Sequence, residues 1–353
     1  MLYSKIIHNN KLYILLHAEQ VYQNFNSFDC NLGFFNYYLT NETLNRVVNE
    51  IKKINDVNSI VIDCYSLEDT HNIYDTLIEI MQYCNDKTIA LSFIRISESL
   101  YGKSKIHSLV GDFDLQETRA YKINGNNLNH YDVYSGEKEN TDNFDDFIFD
   151  LFGNTILKEK IINTYCIPHN PPYSESSNVE LPKYIDLKKF IEEKEISFLG
   201  IYLLCKKEII PDLEKRKQED KKPPILFFNS MAGSYLASLF ARIALLDVAF
   251  LDHLGPKKKI YRRMHKDILK TDQEYLIIAD VVCLGAEIER AKGIIEHEGG
   301  TTQKVLSIVF IKVTDKSSES NVCSLFTLTK DNNAGIDYQI ITNFPEIKKE
   351  ENE

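Results

Sequence analysis

Between Ile225 and Val313, long apolar runs alternate with amphipathic ones, and this limits the possible folds more than any other feature of the sequence. "ILFFNS", "DVAFL", "EYLIIADVV" and "KVLSIVFIKV" carry apolar residues at consecutive positions rather than at alternate ones. Strands of that kind are buried on both faces, so they call for a parallel sheet with helices above and below. The runs between them supply such helices: "AGSYLASLFARIALL", and "AEIERAKGIIEHEGG" with a stop at Gly299-Gly300.

The first half shows a looser version of the same alternation. "KLYILLH", "SIVID" and "TIALSFIRI" read as strands. Between them, Leu44, Val47, Val48, Ile51 and Ile54 form one helical stripe capped by Thr40 or Asn41, and Ile73, Leu77, Ile80 and Met81 form a second. A βαβαβ order of this type predicts a sheet covered by helices. "FDDFIFDLFGNTILKEKIINTY" reads as a helix pair broken at Gly153. "CIPHNPPYSESSNVELP", with Pro168, Pro171 and Pro172, reads as a linker. The expected organisation is an α/β domain over residues 1–165, a linker over 166–182 and a parallel-sheet α/β domain over 183–353.

At 353 residues and 43% hydrophobic residues, the chain can build two cores. A formal net charge of -11 argues against coating of nucleic acid or anionic membrane by the whole chain, though a local basic patch stays open. The seven cysteines are scattered and never spaced C-x-x-C, which fits a reducing cytoplasm. No apolar stretch is long enough to span a bilayer, so a cytoplasmic location without membrane contact is expected. The histidines show no metal-ligand spacing, and no metal site is expected.

The most informative stretch for function is Tyr275 to Gly300. An apolar strand rises to Asp280, turns at Gly285 and continues as a helix. A strand that turns at a glycine into a helix offers free backbone N–H groups and a positive helix end to an anion, at the sheet edge where open α/β folds take ligands. The segment from Pro224 to Val313 resembles the type I phosphoribosyltransferases, whose motif is an apolar strand, two acids, two apolar residues, two Thr-like residues, Gly, any residue and Thr. Here the acid pair reads Ala279-Asp280, the apolar pair Val281-Val282 and the Thr-like pair Cys283-Leu284, followed by Gly285, Ala286 and Glu287. "NSMAGSYLASLFA" stands where the family has its pyrophosphate loop, with Gly233 at the turn and Ser234 after it. The resemblance implies that Asp280 grips a ribose and acts in catalysis, and that residues 281–287 with Gly233 and Ser234 hold a phosphorylated ligand.

The departures weaken that implication. Ala279 removes one carboxylate, Leu284 donates no hydrogen bond, and Cys283 donates a poor one. If Glu287 pointed into the loop, a carboxylate about 4 Å from a phosphate would cost from about 1 kcal/mol in water to a few at an effective protein dielectric. Facing outward, it would instead favour the positive helix end. Mg²⁺ is implied only if transferase activity survives.

Two further stretches are candidates. "GPKKKIYRRMHK" groups Lys257, Lys258, Lys259, Arg262 and Arg263 (with Lys266) beside the presumed ligand edge, suited to phosphate or to a nucleic-acid backbone. A solvated loop offsetting an acidic chain is the plainer alternative. "SIVIDCYSLEDTHNIYDTLIEIMQYC" resembles a sulfate-transporter and anti-sigma-factor-antagonist (STAS) domain, with Asp69 and Thr70 in the positions of the family's Asp and hydroxyl residue. The resemblance implies a phosphorylation site at Thr70 and protein contacts; a plain helix cap is the favoured reading. Together these expectations describe a STAS-like domain followed by a phosphoribosyltransferase-like, Rossmann-like domain. The protein would be a homo-oligomer that binds a phosphorylated small molecule, a nucleotide or a protein partner, of a kind that suits bacterial regulation or defence. An active divergent phosphoribosyltransferase and a nucleic-acid-linked regulator are the alternatives.

Overall fold

The structure is a computed structural model that describes residues 3–17, 38–70, 72–123, 126–176, 179–228, 231–251, 268–283, 285–312, 321–329 and 341–342. The chain forms two units, Met1–Asp145 and Asp146–Glu353.

In the first unit, β1 (Tyr3–His8), β2 (Lys11–Leu16), β4 (Ser59–Asp63), β6 (Ala90–Ser97), β8 (Asn126–Tyr134) and β7 (Gln116–Ile123) form a six-stranded sheet in the order β1-β2-β4-β6-β8-β7. The central three strands run parallel, and both flanks are antiparallel. The expected stripes face one side of this sheet. Leu44, Val47, Val48 and Ile51 of α1 (Asn41–Lys53) and Leu77, Ile80 and Met81 of α2 (Tyr74–Asp86) share a core with Leu12, Ile14, Ile60 and Ile62. Each such side chain contributes roughly 1.5–3 kcal/mol when fully buried. Thr40 caps α1 as expected, its Oγ1 accepting from the Thr43 N–H at 3.3 Å. A two-residue pair of β3 (Tyr38–Leu39) with β5 (Asp69–Thr70) stands apart from the main sheet. Two short helices, α3 (Glu98–Ser104) and α4 (Ile106–Leu109), follow β6.

The stretch from Phe144 onward differs from expectation. The chain stays helical from Phe144 to Tyr165: α5 (Phe144–Leu151), a π-type turn (Phe152–Leu157), α6 (Lys158–Lys160) and a second π-type turn (Ile161–Tyr165). Gly153 does not break this run. It is buried, and a Cβ there would sit inside van der Waals contact of the Leu325 carbonyl oxygen. The glycine serves close approach to another strand rather than a turn.

The expected linker is also folded. β9 (Cys166–Ser176) and β10 (Val179–Ile185) pair antiparallel, with β16 (Ile341–Thr342) on the far side of β10. The register shifts between Leu181 and Lys183, opposite the stretch from Pro168 to Tyr173 that holds Pro171 and Pro172. β9 is an edge strand of this sheet, and an edge with an irregular ladder tolerates the missing proline donors.

The remainder follows the alternation read from the sequence. After α7 (Lys188–Glu192), α8 (Lys194–Leu204) and α9 (Ile210–Gln218), five strands form an all-parallel sheet in the order β12-β11-β13-β14-β15. These are β11 (Ile225–Phe228), β12 (Val248–Phe250), β13 (Glu274–Val282), β14 (Thr301–Ile311) and β15 (Val322–Leu328). α10 (Met231–Ala244) follows β11, and α11 (Ala286–His297) follows β13. Phe227, Ile277, Val305 and Ile288, Ala291 and Ile295 share one core. Among the described residues no helix is long and apolar enough to cross a membrane.

Candidate functional site

β13 runs between β11 and β14, parallel to both, so the turns after β11 and β13 leave from the same carboxyl edge of the sheet. Asp280 lies close to that edge, half-buried, and its Oδ1 accepts the Val281 N–H at 2.8 Å. Among the described residues no cationic side chain pairs with it. Burial raises its pKa, and the Val281 N–H offsets only part of that.

Past the strand the chain turns at Gly285, with φ +73°, which serves as N-cap of α11 without a side-chain cap bond. A left-handed residue at this point favours glycine. The strand, glycine turn and helix thus occur where the sequence placed them. Within them the side chains separate. Val282 is buried in the core, Val281 and Cys283 are half-buried, and Ala286 is exposed. Glu287 is also exposed, in the first turn beside Glu289, where the helix dipole favours an acid. Leu284 lies outside the described residues. Ala279 pairs in register with Ser307, whose buried hydroxyl has no hydrogen-bond partner among the described residues.

Gly233 is not at a turn. α10 begins at Met231, so Gly233 is its third residue and is buried, with Ser234 half-buried beside it. Lys257, Lys258, Lys259, Arg262 and Arg263 lie outside the described residues. Thr70 also departs from expectation. It sits in β5, buried, and its hydroxyl donates to the Leu39 carbonyl at 2.9 Å. Asp69 pairs with Lys103 at 2.7 Å, and the N-cap of α2 is Ile73, so neither residue caps that helix.

The sequence reading missed a charged centre in the first unit. Arg95, fully buried at 1% exposure, gives Nε to Asp63 Oδ1 at 2.8 Å and Nη2 to Asp63 Oδ2 at 2.6 Å. Its Nη1 lies 2.8 Å from Asp145 Oδ1, and the rings of Tyr65 and Phe144 cover the guanidinium at 4.7 and 4.9 Å. Its backbone has φ +56° at a register shift in β6, held by an N–H bond to Asp132 Oδ1 at 2.9 Å. Burial alone would favour loss of its proton, but Asp63 and Asp145 hold it firmly charged. A signal was present: "SIVID" ends in a single acid, and one arginine interrupts "TIALSFIRI".

No family model and no curated protein matches this chain. Among solved structures it is similar to the adenine phosphoribosyltransferase of Thermoanaerobacter pseudethanolicus, at 15% identity and a TM-score of 0.35, over 48% of this chain and 98% of that one. The orotate phosphoribosyltransferase of Aeropyrum pernix gives 14% identity and a TM-score of 0.37, over 53% of this chain and 97% of that one. The adenine phosphoribosyltransferase of Leishmania tarentolae gives 15% and 0.34, over 51% and 88%. Likenesses of this size are partial overlaps, and what the site can do follows from its own geometry.

The raised pKa of Asp280 makes a stability prediction. The folded state holds this proton more tightly than the unfolded one, so the group's contribution falls as pH rises from the unfolded value of about 3.9 through the raised folded value. Asp280→Asn should therefore melt higher than the wild type at neutral pH, by on the order of 2 °C. The difference should vanish in melts below about pH 4. An equal or lower melting point at pH 7 would contradict an unpaired, desolvated carboxylate.

Proposed function

We propose that the C-terminal unit is a binding or regulatory module whose β13–α11 turn holds a phosphorylated small molecule or nucleotide in a degenerate phosphoribosyl pyrophosphate site. The observation that carries this reading is the placement of Asp280 and the left-handed Gly285 at the carboxyl edge of a buried parallel strand. The acid is retained for a ribose and the helix end for an anion, while the second acid and the donor hydroxyls of the family motif are replaced. Gly233 and Ser234 would lie alongside on the first turn of α10, and the basic run at 257–266 would add phosphate or nucleic-acid contacts. In the same reading the N-terminal unit is a STAS-like partner-binding domain of a cytoplasmic homo-oligomer, in regulation or defence. Modification of Thr70 would first require its exposure.

Calorimetry with phosphoribosyl pyrophosphate and with nucleotides tests the site. The wild type should bind phosphoribosyl pyrophosphate weakly or not at all, with or without Mg²⁺. Ala279→Asp, Leu284→Thr and Glu287→Thr together should tighten binding. Tight wild-type binding, or turnover with a nucleobase, would favour the second reading, a divergent phosphoribosyltransferase in which Asp280 still holds the ribose. That reading draws its support from Asp280 alone.

A further inference from the structure

The guanidinium of Arg95 carries five N–H donors in one plane. Asp63 takes the side formed by Nε and Nη2. Asp145 reaches the remaining nitrogen, Nη1, with one oxygen at 2.8 Å. That contact is a one-oxygen ion pair, and among the described residues Nη1 meets no better-aligned acceptor. A carboxylate held through one oxygen engages less of the guanidinium than the two-oxygen Asp63 pair does.

Three other observations converge on this end of Arg95. It stands near the carboxyl ends of the parallel strands β4 and β6, the edge at which open α/β sheets take ligands. Arg95 holds a left-handed backbone, a strained state that collects at ligand-binding positions. Asp145 is the partner that water reaches: its side chain is 20% exposed, against 4% for Asp63 and 0% for Arg95. Tyr65 and Phe144 cover the faces of the guanidinium, so the edge is the part left for recognition.

We propose that the Nη1–Nη2 edge of Arg95 is a binding site for the oxyanion of a small molecule, with Asp145 as the resident carboxylate that the ligand displaces. A group with two coplanar oxygens spans that edge with parallel N–H···O bonds. The exchange replaces one anion by another and leaves the Asp63 pair in place. Asp132 holds the Arg95 backbone and faces Lys138 at 3.6 Å, outside the exchange. Because Asp145 is the second residue of α5, displacement acts on the first turn of that helix.

The test titrates the full-length wild type, Asp145→Asn and Asp146→Asn with acetate and separately with inorganic phosphate, following the Arg95 side-chain nitrogen resonances. Asp146 is an exposed acid paired with Lys207 at 3.0 Å and serves as a charge-matched control. Asp145→Asn should bind about tenfold more tightly than the wild type, since the internal competitor is gone. Asp146→Asn should match the wild type. Tighter acetate assigns the oxyanion to a carboxylate, and tighter phosphate to a phosphate ester. Arg95 resonances that move with neither anion in Asp145→Asn, or an equal gain in Asp146→Asn, would overturn the site.

Discussion

Arg95→Met should destabilise the N-terminal unit by about 3–5 kcal/mol, the usual cost of removing one partner from a buried ion pair. Methionine fills much of the volume but leaves Asp63 buried at 3% exposure with its cation gone. It also removes the side-chain anchors of a backbone that holds φ +56°. Urea unfolding of the full chain, followed by a probe in the first unit, measures the loss. Arg95→Met with Asp63→Leu should recover part of the loss, since replacing both charges leaves neither unpaired. A single-variant cost below about 1 kcal/mol would mean that the network is far better hydrated than its burial indicates.

Gly153→Ala should cost the second unit about 3 kcal/mol or more, above the ordinary run of point substitutions. The new methyl would meet the Leu325 carbonyl oxygen, part of a backbone held in the parallel sheet, so the helix or the strand must move. Gly200→Ala provides the contrast. Its Cβ would meet Leu325 Cδ1 at 2.8 Å and the Phe152 ring at 3.0 Å, side-chain atoms rather than backbone, at longer range than the 153–325 contact. Thermal melts of the two variants should rank Gly153→Ala well below Gly200→Ala. Equal melting points would show that the 153–325 approach is not tight.

The parallel sheet of the second unit was legible because β11, β13 and β14 carry apolar residues at consecutive positions, whereas a strand with one wet face alternates apolar and polar residues; β15, with Ser324 and Thr327 inside it, was not read. The turn at Gly285 was legible for a similar local reason: strand, glycine and helix follow within one short stretch. What escaped depends on partners distant in sequence. Gly153 looks like a helix breaker until Leu325 is placed against it. The prolines from Pro168 to Pro172 look like a linker until the strand that holds them is seen to be an edge with an irregular register. Thr70 looks like a helix cap, but its hydroxyl bonds to Leu39, on a strand that the sequence does not announce. Arg95 stands out as one charged letter in an apolar strand, but nothing local reveals that Asp63 on the neighbouring strand is its partner.

The seating of Gly153 against Leu325 also bears on the order in which the protein is made. The first helical segment of the second unit packs on its last long strand, and between them lies an all-parallel sheet that cannot close through hairpins. Sheets of that kind fold slowly because their contacts join distant parts of the chain. The first unit has its βαβ elements complete long before then, and domains tend to fold as units from the N-terminus during synthesis. On a ribosome, the helical stretch around Gly153 would therefore emerge with the face that meets Leu325 uncovered and wait until Leu325 is synthesised. That interval is when this chain would be most exposed to aggregation or in need of a chaperone.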